Sequence, residues 1–155
     1  MSNIIKFFTS LLITLSAGGI GSIFTTPAIP TWYETLKKPK FNPPGWVFGP
    51  AWTILYILIS ISFHLIWSTV GFEKNKKVLV IFVIQLVLNA LWSIIFFGLQ
   101  NPALAFIEIV ILWVAILLTL LNFYKLDRTA GLLLVPYLLW VTFAALLNFS
   151  IWQLN

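Results

Sequence analysis

The sequence predicts an all-α integral membrane protein, a single bundle of five transmembrane helices. Composition is the first reason. Of the 155 residues, 61% are hydrophobic and 8% are charged, whereas a soluble domain carries about 25% charged residues. Length is the second reason. Five apolar runs, residues 7–26, 44–69, 78–99, 103–124 and 130–154, are each close to or above the ~20 residues that cross a bilayer. They fill the chain, so one domain over 1–155 is expected. The third reason is pattern. The alternation of a barrel strand is absent, and in lipid a helix satisfies its own backbone polar groups.

The net charge of +5 is scattered over short loops. It builds no basic face that could track phosphates, so no nucleic-acid partner is expected. It sets topology instead. Lys6, Lys74, Lys76, Lys77, Lys125 and Arg128 fall on one side of the bundle, and Lys37, Lys38 and Lys40 on the other. The positive-inside rule then puts the N-terminus inside and the C-terminus outside. The chain has no cysteine, which removes disulfides, thiol catalysis and thiolate metal sites. No metal or cofactor is expected.

The first run, 7–26, follows one lysine and resembles a signal peptide, but it is long enough to span and no A-x-A site follows. It is read as a retained helix. Its S-A-G-G-I-G-S segment spaces Gly18 from Ser22, and Ala17 from Gly21, by four residues. Small residues at that spacing let helices approach closely, within the bundle or between two copies.

The link to the second helix, 27–43, is expected to be a lid. Pro30–Tyr56 together with Pro27 holds six of the eight prolines, and Pro30–Tyr56 holds three of the eight tryptophans. Prolines stiffen such a segment and keep it from being one continuous helix. Its aromatics suit either a membrane-interface belt or a ligand lid. The second helix is predicted to start at Pro44, with Pro50 loosening its first turns. Trp52, Tyr56, Phe63 and Trp67 share one face. His64, the single histidine, is read as an interfacial residue rather than a metal ligand.

On the third helix Gln85, Asn89, Trp92, Ser93 and Phe96 form one stripe. Amides within a membrane seek partners, so the stripe faces the bundle, either as glue between helices or as the wall of a cavity. Q-N-P at 100–102 predicts a tight turn. Glu108 is the one carboxylate deep in an apolar run. It is a candidate for a ligand or proton role; lying about two turns past Pro102, it otherwise reaches water or stays protonated. The last helix contains Pro136 and aligns Tyr137, Trp140, Ala144, Asn148 and Trp152. Ala144 leaves room between large neighbours. Three aromatic stripes with little polarity suggest a pocket for a flat, apolar ligand.

No lysine falls inside a predicted span, which excludes a retinal Schiff base. No chain of acids and histidines is available to relay protons. No hydrolytic triad, metal cluster or phosphate loop supports ordinary catalysis.

W-Y-x-x-L-x-K-P-x-F-x-P-P-x-W-x-F-G-P-x-W-x-x-L-Y at Trp32–Tyr56 resembles the translocator protein family: TspO, the tryptophan-rich sensory proteins and the peripheral benzodiazepine receptors. So do Q-L-x-L-N-x-x-W-S-x-x-F-F-G at Gln85–Gly98 and P-Y-L-x-W-x-x-F-A-x-x-L-N-x-x-I-W at Pro136–Trp152. The resemblance spans the chain. It implies a five-helix bundle in a bacterial cell membrane, usually a homodimer, that binds porphyrins, with protoporphyrin IX the usual bacterial ligand, and related hydrophobic molecules. By position it implies Trp32 and Tyr33 in the lid, and Trp52, Tyr56, Asn89, Trp92, Ser93, Trp140, Ala144 and Asn148 around the ligand. The stripe adds Phe96. Some bacterial members are said to degrade protoporphyrin in light and oxygen, which would make Trp52 and Trp140 the catalytic pair. Transport of tetrapyrroles or sterols is a further family reading. The sterol pattern at the end of the last helix is not met, because no Tyr followed by Lys or Arg occurs in Asn148–Asn155. Lys37, Lys38 and Lys40 could attract the propionates of a porphyrin. Haem would need an axial ligand; Met1 and His64 are badly placed and Tyr33 and Tyr56 would be unusual ligands, so an iron-free porphyrin is the expected ligand.

Overall fold

The computed structural model describes residues 1–155. It is all helical. α1 runs Asn3–Ala28 and continues through a π-helical turn, Ile29–Tyr33. A short 3-10 turn at Gly45–Val47 leads into α2, Phe48–Thr69. α3 is Lys76–Ser93, again extended by a π-helical turn, Ile94–Gly98. α4 is Pro102–Leu126, α5 is the short Arg128–Leu132, and α6 is Val135–Leu154. Five of these stretches are long and apolar enough to cross a membrane.

The boundaries follow local chemistry. Asn101 caps α4 by accepting from the Leu104 amide at 3.0 Å, and Pro102 occupies the first helical position, where a missing N–H costs nothing. The tight turn before it holds Gln100 at φ 51°. Asp127 caps α5 through the Ala130 amide at 3.0 Å. Pro50 falls in the first turn of α2, just after the 3-10 turn, in keeping with a loosened start.

Two expectations change. The predicted lid, 27–43, is shorter than expected, because Pro27 and Pro30 stay helical and only residues 34–44, the first two still helical, link Tyr33 to Gly45. Pro30 has no N–H to bond within α1, and the helix widens into a π turn there rather than ending. The last predicted span, 130–154, is broken at Leu133–Leu134, so Pro136 sits in the first turn of α6 instead of inside a helix. Lys6 also lies in α1, near its start, where its ammonium donates to the Trp67 carbonyl at 3.4 Å.

Around the bundle the order is α2, α1, α3, α4, α6 and back to α2. The half nearest the N-terminus is solid. Phe63, Phe82 and Phe123 stack there, with centroids at 4.3 Å and 5.8 Å. Ser62 ties α2 to α5 by donating to the buried Ala130 carbonyl at 2.6 Å. Three of the small residues of α1 serve packing within the chain. Ala17 and Gly21 are buried, and Gly18 lies against the ring of Tyr56. At the opposite end, which carries the 34–44 loop, the two π turns meet. Trp32 packs edge-on to Phe96 at 5.6 Å, and Tyr33 tilts against Phe97 at 5.8 Å. This half of the bundle is hollow.

Candidate functional site

The hollow is a cavity of about 550 Å³ walled by α1, α2, α3 and α6. Its size is that of a small-molecule site. α4 contributes nothing to it and packs behind α3 and α6.

The sequence stripes converge on this space. Tyr33, Trp52, Tyr56, Asn89, Trp92, Ser93, Phe96, Trp140, Ala144 and Asn148 all line it. Trp32 does not. The π turn directs it onto Phe96 and Phe97, so it backs the wall rather than facing the space. Trp152 leaves the α6 stripe and packs on Phe106 and Phe149 at the surface. Glu108, a candidate for a ligand or proton role, is not brought to this space. It is 6% exposed, lies outside the cavity, and neither carboxyl oxygen has a hydrogen-bond partner. Lys37, Lys38 and Lys40 also stay out of the lining. Lys38 instead sits 4.6 Å from the centre of the Tyr33 ring.

The walls are flat aromatic faces. Trp52 stacks on Tyr56 at 5.7 Å and meets Trp140 edge-on at 6.4 Å. Trp92 stacks on Phe96 at 5.0 Å. The amides hold these walls in place. Asn89 accepts from the Tyr56 hydroxyl at 2.5 Å and donates to the Tyr137 hydroxyl at 2.8 Å, which in turn donates to Gln85 at 2.9 Å. Asn148 accepts from the Trp92 indole at 3.0 Å and donates to the Pro102 carbonyl at 2.8 Å. Both asparagine side chains thus spend their strongest bonds inside the protein, and the two readings of the α3 stripe, glue and wall, hold together. Among the lining residues only Trp140 has a buried polar atom without a partner, its indole Nε1.

The sequence reading missed the α1 wall. Gly18, Gly19, Ser22 and Thr25 line the cavity, with Ile29 above them. The signal is the run of small residues, whose spacing by itself points only to helix packing. The cavity opens on this side: Gly19 and Ser22 of α1, and Gly49 and Thr53 of α2, are both lining and exposed. A side chain added at Gly19 or Gly49 would meet nothing.

The family model described as TspO/MBR matches residues 10–153. The chain belongs to the TspO/MBR family. Among its relatives is the tryptophan-rich protein TspO of Archaeoglobus fulgidus, 48% identical over 99% of each chain. Protein CrtK of Rhodobacter capsulatus is 43% identical, covering 90% of this chain and 86% of its own. The human translocator protein is 35% identical, covering 88% of this chain and 82% of its own. With its five spanning helices, this TspO/MBR member is an integral membrane protein.

Proposed function

We propose that the chain is a membrane receptor or sensory protein that binds protoporphyrin IX, or a related flat hydrophobic molecule, in the aromatic cavity. The observation that carries this reading is the wall of Trp52, Tyr56, Trp92, Phe96 and Trp140 around about 550 Å³. Such faces stack on a planar ring system. The propionates of a porphyrin would be met outside the lining by the lysines of the loop. Titrating the purified protein with protoporphyrin IX tests this. A saturable shift of the porphyrin absorption band, with quenching of tryptophan emission, is expected. Free porphyrin behaviour at every ratio would end the proposal.

One observation favours a second reading. Trp52 and Trp140 both line the cavity and touch edge to face, so two oxidisable indoles would flank a bound porphyrin. On this reading oxygen is the oxidant: the light-excited porphyrin takes an electron from Trp52 or Trp140 and passes it to oxygen, and the tryptophan radical recovers its electron by oxidising the ligand in a water-poor site. Loss of the porphyrin band under illumination in air, but not in the dark or without oxygen, is the expected sign. Transport of the same ligand is tested by flux across sealed vesicles.

The proposal includes a bacterial-type cell membrane, the N-terminus on the cytoplasmic side and a homodimer. The distribution of basic residues supports the orientation, and the family resemblance supports the dimer. Protease access in oriented vesicles and light scattering in detergent test the two.

A further inference from the structure

We propose that Asn155 is a latch that holds the 34–44 loop closed and sets the rate of ligand exchange. The proposal rests on the reading of the cavity as a ligand site. Asn155 follows the last turn of α6, one turn beyond Ile151, which lines the cavity. Its side-chain oxygen accepts from the Lys37 backbone amide at 3.0 Å. Its side-chain nitrogen donates to the Lys37 carbonyl at 2.8 Å and to the Ile151 carbonyl at 2.8 Å. A primary amide has two N–H donors, and both are used. The side chain is therefore fixed to α6 and grips both polar groups of one loop residue, as a neighbouring strand would.

The grip falls at a mechanically useful point. The loop joins Tyr33, at the end of α1's extension, to Gly45, ahead of α2, and both residues line the cavity. It is the covalent link across the loop end of the open α1–α2 side. Pinning its middle to α6 limits how far that side can spread. The rest of the loop is already folded into a compact strap. Tyr33 donates to Asn42 at 3.1 Å, Lys38 donates to the Leu36 carbonyl at 3.2 Å, and Phe41 rests on Phe143 at 6.1 Å. Phe143 belongs to α6, so the Phe41 contact is a second, apolar hold on the strap, and the latch governs the stretch around Lys37. Lys37 and Asn155 are exposed, so these bonds compete with water and can open often.

The test uses the full chain in nanodiscs, with protoporphyrin IX as the probe. Association and dissociation are followed by stopped-flow quenching of tryptophan emission. Hydrogen exchange at the Lys37 amide is measured on ligand-free protein. Losing two net hydrogen bonds of this kind should raise both rates about tenfold in Asn155→Ala and leave the affinity within about twofold. The Lys37 amide should exchange faster by a similar factor. Asn155→Asp keeps the acceptor and loses the donor, so it should fall between wild type and alanine. Gln153→Ala, exposed two residues away and without a side-chain bond, should match wild type. Unchanged Lys37 exchange in Asn155→Ala would overturn the latch. Faster Lys37 exchange with unchanged porphyrin rates would overturn its control of exchange, and would place the route wholly between α1 and α2. If wild-type protein binds no protoporphyrin, the ligand reading falls and the rate claim with it, while Lys37 exchange still decides the latch.

Discussion

Tyr56 and Asn89 meet at 2.5 Å on the wall of the cavity, hydroxyl to side-chain oxygen. The bond joins α2 to α3 and turns the face of Tyr56 toward Trp52. It also begins the buried chain through Tyr137 to Gln85. Removing the hydroxyl leaves the buried Asn89 oxygen without its donor. Tyr56→Phe should therefore lower stability by about 1 kcal/mol, a typical net value for a buried bond and within the range of interhelical bonds in membranes. Thermal unfolding in detergent measures it. An unchanged midpoint would mean that another donor reaches Asn89.

Gly18 makes that arrangement possible. A Cβ there would lie 2.7 Å from Tyr56 Cε2 and 3.0 Å from Cδ2. The ring cannot easily retreat, because its hydroxyl is tied to Asn89 and its face to Trp52. Gly18→Ala should destabilise by about 1–3 kcal/mol, the usual range for overpacking. Gly19→Ala, one residue along, meets nothing and should be close to neutral. Equal effects at both positions would show that helix propensity, not the Tyr56 contact, governs the pair.

Glu108 carries a different expectation. Its carboxyl is buried on α4 with both oxygens unpartnered. A buried polar group without a hydrogen bond costs about 1–3 kcal/mol by mutational measures. Glu108→Met keeps the volume close and removes that cost, so the thermal midpoint should rise. A clear fall would show that the carboxyl has a partner in the membrane, such as a bound water.

How much of this was legible follows from helix geometry. Trp52, Tyr56, Asn89, Trp92, Ala144 and Asn148 were found because steps of three and four residues keep one face. The same rule misplaced Trp152. Each four-residue step advances about 40° around a helix, so from Trp140 to Trp152 the stripe drifts off the cavity and onto the lipid face. The π turns were not legible. Proline reads as a breaker, and whether a helix ends or widens at Pro30 is decided by what it packs on, here Phe96 and Phe97. The α1 wall was hidden for a related reason. Glycine and serine mark close approach, and nothing local distinguishes approach to a helix, as at Gly18, from approach to an empty space, as at Gly19.

The sharpest test of the cavity as a ligand site is Ala144. It lies one turn after Trp140 and one turn before Asn148, and all three line the same space. Trp140 is held by Trp52 and Phe48, with centroids at 6.4 Å and 6.1 Å, and Asn148 by its bonds to Trp92 and Pro102. A larger side chain at 144 has no soft neighbour to displace and must grow into the cavity. Ala144→Leu should weaken protoporphyrin IX binding by roughly 5- to 150-fold, the equivalent of an overpacking cost of about 1–3 kcal/mol. The ligand-free protein should keep its melting temperature, because the added methyl groups fill empty space rather than packed core. If Ala144 instead served helix packing, the two readouts would exchange places. A fallen melting temperature with normal affinity per folded molecule would remove Ala144 from the site.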